Sequence, residues 1–247
     1  KALGPKAPQT DDAFQDLCFE IGIELDDVET APPPQTNTRG AAGADSDATE
    51  ETIYKIEVPA NRYDLLCLEG MRRALAVFCG VSTSPTYSLS GPATIDVTVR
   101  ATTAAVRPFI VCAVLRDCTF DARAYHSFLD LQERLHHNIA RRRTLVAIGT
   151  HDLDTLTPPF VYAAKSPRDI SFVPLAQTRE FNAEELFEYY DDPKVNSPLR
   201  KFLPILEGQP AYPVVYDANE TVCSLPPIIN GEHSRISPET RNVFVEC

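Results

Sequence analysis

Apolar residues recur at helical spacing in three stretches of the chain. Phe14, Leu17, Cys18 and Ile21 predict a helix over 11–21. Leu65, Leu68, Met71, Leu75 and Phe78 predict a second, with Asp64 as its N-cap and Gly80 just past its end. Tyr125, Phe128, Leu131, Leu135 and Ile139 form the stripe of a long third helix over 121–141. Elsewhere the period is two, or the apolar run is short. Tyr54, Ile56 and Val58 fall on one face of a strand, as do Ile95, Val97 and Val99. Pro108 to Leu115 and Thr144 to Gly149 read as buried strands, with shorter ones near 159–164 and 169–175 and a last one from Asn242 to Glu246. Val214–Tyr216 and Thr221–Leu225 flank Asp217-Ala218-Asn219 as a hairpin. Asn182, and Ser197 before Pro198, are two further helix starts.

Two stretches carry no such period. Residues 29–51 are rich in Pro, Ala, Thr and acidic side chains, too polar to offset the entropy of ordering them, and predict a mobile insertion. The Ser- and Pro-rich segment 81–94 predicts the domain boundary. The expected class is therefore α+β. A small α+β domain over 1–88 precedes a domain over 92–247 in which helices pack on a mixed sheet, because several strands arrive in hairpin-like pairs. No internal repeat is present.

Length and composition narrow the function classes. The chain has 247 residues, 43% of them apolar, which suits one large or two small globular domains. No apolar run is long enough for a membrane-spanning helix, and Lys-Ala-Leu-Gly at the start has neither the apolar core of a signal peptide nor an initiator Met, as expected of a partial chain. The seven cysteines form no CxxC pair and lie at no zinc-site spacing from His136, His137 or His151, so they read as free thiols in a reducing cytosol, with no metal expected. A net charge of −12 opposes general attraction to phosphate, so any contact with RNA must be local.

Four segments are candidates for chemistry. In 224–235, Pro226-Pro227 stiffens the backbone, Asn230-Gly231 forms a tight turn, and Glu232, His233, Ser234 and Arg235 follow it, with Ile228 and Ile229 as anchors. This is either an exposed polar turn tip or a rigid cluster for recognising a polar ligand. Gly149-Thr150-His151-Asp152 is either a capping turn or a site beside a buried strand. His151 and Asp152, adjacent in sequence, would point apart and are a poor dyad. Arg141, Arg142 and Arg143 either complement the helix C-terminus or contact phosphate or carboxylate. Asn61, Arg62 and Asp64 read as holding a strand-to-helix turn. No GxSxG, P-loop, GxGxxG or HExxH pattern occurs.

Long ordered segments of this chain resemble the β-subunit family of phenylalanyl-tRNA synthetases, in its archaeal and eukaryotic cytosolic form. They are Lys55–Gly70 with its Val58-Pro-Ala-Asn-Arg-Tyr-Asp64 core, Arg107-Pro108, Leu145–Asp154, Tyr212-Pro213, Ser224–Arg235 and Thr240–Glu246. The resemblance implies an editing domain that hydrolyses tyrosine mis-esterified to phenylalanine tRNA, the alternative being a non-catalytic scaffold of the same synthetase that positions tRNA and has lost editing. It further implies an α-subunit partner in a heterotetramer, with ATP and Mg at that partner's site and no cofactor here, and a cytoplasmic location. It implies a ligand pocket formed by Ser224, Pro226, Pro227 and Asn230, with Glu232 reading the tyrosine hydroxyl and Arg143, His151 and Asp152 as neighbours. His233 is the candidate general base, with the substrate's ribose hydroxyl as the alternative. The stretch before Thr52 departs from the family's compact core, as a lineage-specific insertion would, and the chain stops before the remaining β-subunit domains.

Overall fold

The computed structural model describes residues 3–31 and 51–247. Two compact units divide the chain, residues 1–87 and 88–247. In the first, helix α1 (Asp11–Ile21) is capped by Thr10, whose side chain accepts from the Ala13 amide, and ends at Gly22 with φ 82°, a conformation that glycine adopts without strain. Strands β1 (Glu24–Ala31) and β2 (Glu51–Glu57) pair antiparallel. Helix α2 (Leu68–Phe78) closes the unit over a small core of Cys18, Ile23, Leu25 and Leu65.

Three expectations change here. Strand β1 was not foreseen, because half of Glu24–Ala31 is acidic and it shows no alternation. It is specified by its partner, since Lys55 of β2 bonds both Asp27 and Glu29 across the ladder. Residues 29–31 and 51, read as insertion, thus belong to strands, and 32–50 lie outside the described residues. Asp64 does not cap α2. It takes a two-pronged ion pair from Arg62 at 3.0 and 2.9 Å in a 3-10 turn, and Cys67 is the N-cap instead. That offset leaves Leu68 and Phe78 exposed while Leu65 and Leu75 are buried.

In the second unit the elements run β3 (Val97–Val99), β4 (Cys112–Leu115), α3 (Ala122–His137), β5 (Gly149–Asp152), β6 (Phe160–Lys165), β7 (Ser171–Phe172), β8 (Phe181–Asn182), α4 (Ala183–Asp191), β9 (Tyr212–Tyr216), β10 (Val222–Leu225), β11 (Ile229–Asn230) and β12 (Val243–Glu246). A five-stranded sheet of order β11-β10-β9-β6-β3 is antiparallel except where β3 runs parallel to β6. A three-stranded antiparallel sheet has β12 between β4 and β5. The class is α+β with mixed sheets, as the pattern of strands predicts.

Both faces of the larger sheet are buried, and the two-residue period sorts its side chains. Ala163, Val214, Val222 and Leu225 point into a core with α4, Phe202 and Leu206. Tyr162, Val215 and Cys223 point the other way, against the smaller sheet, where Phe160 stacks on Phe244 of β12 at 4.3 Å. Ser224 sits between Cys223 and Leu225 on β10, and Glu246 lies two residues from Phe244 on β12. Phase therefore puts Glu246 on the face of β12 turned toward the larger sheet.

Two apolar runs differ from expectation. Of Pro108–Leu115 only 112–115 is strand, and it is an edge strand, with Phe109 90% exposed. Helix α3 stops at His137, and Arg141, Arg142 and Arg143 take left-handed φ of 50°, 53° and 65°. The strand expected at 144–149 begins only at Gly149. Leu145 to Ala147 instead run along the side of a cleft together with 106–111.

Candidate functional site

The cleft, about 430 Å³, lies entirely in the second unit, between residues 106–111 and 145–147, with Tyr162, Pro226, Glu246 and Cys247 completing it. That size suits a single amino-acid side chain with its attached group. Its walls are mainly apolar. Tyr162 donates its hydroxyl to Arg107 O at 2.8 Å, and burial pushes its pKa up to about 12. Arg107 donates to Leu145 O at 2.9 Å and to Thr144 O at 3.5 Å, tying the two walls together.

At the floor lies a carboxylate. Glu246 is 3% exposed yet lines the cleft. Its Oε1 accepts from Ser224 Oγ at 2.5 Å and lies 3.7 Å from His151 Nε2, and His151 Nδ1 meets Ser234 Oγ at 2.8 Å. Ser224, His151 and Ser234 are all essentially inaccessible. The strand register builds this row. Glu246 pairs with Gly149 and Phe244 with His151, so Gly149 and His151 share the face that carries Glu246. A Cβ on Gly149 would come within 2.4 Å of Glu246 Oε1, so any side chain there would push the carboxylate from its place. Glu246 Oε2 has no hydrogen-bond partner among the described residues. A fixed, desolvated carboxylate in apolar walls is a strong acceptor for a hydroxyl or ammonium donor.

The sequence-predicted residues divide between the cleft and its surroundings. Ser224 and Pro226 belong to the cleft, one through Glu246 and the other in the wall. Asn230 bonds Thr150 O at 3.2 Å from β11, next to the strand that carries His151, and His151 lies behind the floor, 3.7 Å from Glu246, without lining the cleft. Pro227 is buried beside Pro226, without lining the cleft.

The remaining candidates hold structure. Glu232 accepts the Ala176 amide at 2.5 Å and an Arg235 N–H at 3.4 Å, so it fastens a neighbouring loop and lines no part of the cleft. Asp152 accepts from Thr240 Oγ1 at 2.7 Å and from the Asp154 amide at 3.1 Å, facing away from His151. Arg143 donates to Ile228 O at 3.2 Å, pairs with Glu133 at 3.0 Å and stacks on Phe202 at 4.5 Å, while its amide bonds His136 O in the last turn of α3 at 3.2 Å. His233 is exposed, and partial desolvation, then the neighbouring His151, lower its pKa; it does not line the cleft.

Two residues escaped the sequence reading. Glu246 appeared only as the last position of a strand, and Phe244 two residues earlier was the available sign that it faces inward. His136 is buried and accepts the Ile148 amide at 2.7 Å, holding the segment that forms one cleft wall. Burial, then the charge of Arg143, lower its pKa. Among the described residues no group of His, Cys, Asp and Glu is placed to hold a metal, and no helix is long and apolar enough to cross a membrane.

Comparison with known proteins agrees in both units. Residues 1–81 match the model of the Phe-tRNA synthetase beta subunit B1 domain, and residues 115–247 match that of the B3/4 domain. The chain is 54% identical over 241 residues to the cytoplasmic phenylalanine–tRNA ligase β subunit of Arabidopsis thaliana, covering 96% of this chain and 40% of that protein. Against the human β subunit it is 50% identical over 240 residues, with the same coverage. The chain thus spans about two fifths of the length of these relatives. A solved structure of an N-terminal fragment of the Pyrococcus horikoshii phenylalanyl-tRNA synthetase β subunit superposes with a TM-score of 0.79 at 28% identity, covering 96% of this chain and 62% of that one.

Proposed function

Since the chain belongs to the family of phenylalanine–tRNA ligase β subunits, we propose that its cleft is an editing site that hydrolyses tyrosine wrongly esterified to phenylalanine tRNA. The observation that carries this reading is Glu246, a buried carboxylate at the floor of an otherwise apolar cleft, held by Ser224 and Gly149. Such a floor suits an aromatic ring that ends in a hydroxyl. The phenol of tyrosine donates to Glu246, whereas phenylalanine would bury the carboxylate against a C–H edge and leave it unpaired. A synthetic pocket shaped for the phenylalanine ring rejects the added hydroxyl only by about a hundredfold, so a second site that selects for the hydroxyl is needed.

In this reading Glu246 takes the role that the family resemblance implied for Glu232, because Glu232 is engaged with Ala176 and Arg235. Pro226, Leu145 and Val146 hold the ring, and Arg107 ties the two cleft walls on either side of it. Hydrolysis is attack of a positioned water on the ester carbonyl. The bond to the ribose oxygen breaks, and that oxygen leaves with a proton. No histidine lines the cleft, which favours the neighbouring ribose hydroxyl over His233 as the group that takes the water's proton. On the same reading this β-subunit region works with an α subunit that would supply aminoacylation with ATP and Mg, and its place is the cytoplasm, the location printed in the name of the Arabidopsis relative.

A structure of the reconstituted two-subunit enzyme with a non-hydrolysable 3′-tyrosylamido adenosine tests this. The phenol oxygen is expected within hydrogen-bond distance of a Glu246 oxygen. An analogue bound away from Glu246, or with its ring outside the cleft, would overturn the assignment.

A further inference from the structure

We propose that Arg141 and Arg142 form a phosphate clamp for the single-stranded acceptor end of the tRNA; the proposal rests on the editing reading above and names how its substrate is held. Three consecutive non-glycine residues in the left-handed region, Arg141 to Arg143, are costly, at about 1–2 kcal/mol each. Arg143 is absorbed by Ile228 O, Glu133 and Phe202. Arg141 and Arg142 are exposed, and neither guanidinium has a hydrogen bond or ion pair among the described residues. The nearby carboxylate of Glu133 is already taken by Arg143 and His137.

The turn is held from within. Thr144 Oγ1 donates to Arg141 O at 2.7 Å, the Leu145 amide bonds Ala140 O at 3.2 Å, and Arg107 grips Thr144 O and Leu145 O. It leads within a few residues into Leu145, Val146 and Ala147 of the cleft wall. Two free cations on a fixed turn beside the cleft are what a chain of net charge −12 needs, because its overall field repels phosphate. Guanidinium forks match phosphate oxygens, and the single-stranded end of the tRNA has to pass the cleft mouth for its terminal ester to enter.

The test uses the reconstituted two-subunit enzyme with Arg141→Asn and Arg142→Asn combined, since asparagine tolerates the left-handed backbone while removing the charge. Binding of uncharged phenylalanine tRNA is measured against salt, and hydrolysis is measured on tyrosyl-tRNA and on the small ester 3′-O-tyrosyl adenosine. The double variant is expected to raise the tRNA Kd and the KM for tyrosyl-tRNA roughly tenfold. It should also lower the salt slope by about 1.4, at about 0.7 per single-strand phosphate contact. Small-ester hydrolysis should stay at the wild-type rate, and Lys at both positions should restore most of the slope. An unchanged Kd and slope, or an equal loss on the small ester, would overturn the clamp. Wild-type enzyme that leaves both esters intact would instead overturn the editing reading, while the binding slopes still decide the role of the arginines.

Discussion

Replacing Glu246 by Gln is the most informative single change. Ser224 Oγ donates to Glu246 Oε1 at 2.5 Å, and a glutamine carbonyl oxygen can accept that bond in the same place. Gly149 leaves room for the side chain of either residue. Stability should therefore change by less than about 1 kcal/mol, a Tm shift of a few degrees at most. What changes is the charge offered to the phenol. A hydrogen bond to a charged group contributes about 1.5–3 kcal/mol and one between neutral groups about 1 kcal/mol, so the variant gives up on the order of 1–2 kcal/mol. At about 1.4 kcal/mol per factor of ten, kcat/KM for tyrosyl-tRNA deacylation should fall roughly five- to thirtyfold. Phenylalanyl-tRNA, which has no hydroxyl to lose, should be deacylated no more slowly than before, so the tyrosine-to-phenylalanine ratio should collapse. Glu246→Ala should cost more, because Ser224 would lose its acceptor in a buried setting. The assay is release of labelled amino acid from each charged tRNA by the two-subunit enzyme. A Glu246→Gln enzyme with the wild-type ratio would refute the reasoning, since the carboxylate would then have no part in selection.

Other changes report on the scaffold. Gly149→Ala puts a methyl within 2.4 Å of Glu246 Oε1, and should depress tyrosyl-tRNA deacylation at least tenfold while costing about 1–3 kcal/mol of stability in a thermal melt. Phe244→Ala removes the ring stacked on Phe160 and should destabilise the second unit by about 3–5 kcal/mol, read from denaturant midpoints. The pKa of His136 is lowered in the fold, so the folded state binds fewer protons than the unfolded one. That stabilisation is fully present above about pH 6.5 and fades as the pH falls through the range below it, and His136→Gln should flatten this slope in urea titrations between pH 5 and 7. Asn182→Ala breaks the capping box of α4, with an expected loss of about 1 kcal/mol measured in the same titrations.

Periodic elements were legible in the sequence. The stripe of α1, the hairpin of β9 and β10 and the cap at Asn182 follow from local chemistry that the tertiary fold does not override. Segments whose state depends on a distant partner were not. Glu24–Ala31 is strand because β2 offers Lys55 opposite its acids, and Phe109 and Val111 are exposed because β4 lies at a sheet edge, while Ile110 packs on the core. Arg141–Arg143 read as a helix end because cations favour that place, but α3 had already broken at Asn138. The site shows the same division. Ser224 and Pro226 came from a contiguous segment that resembles a family. Phe244 marks Glu246 as facing inward, but that β12 runs between β4 and β5 with Gly149 beside Glu246 comes only from the tertiary register.

The decisive measurement of editing is the rate at which the wild-type two-subunit enzyme releases tyrosine and phenylalanine from phenylalanine tRNA. Tyrosine is expected to be released at least ten times faster than phenylalanine, and far faster than from tRNA alone. Equal rates for the two esters, or a tyrosine rate no greater than that of free tyrosyl-tRNA, would contradict it.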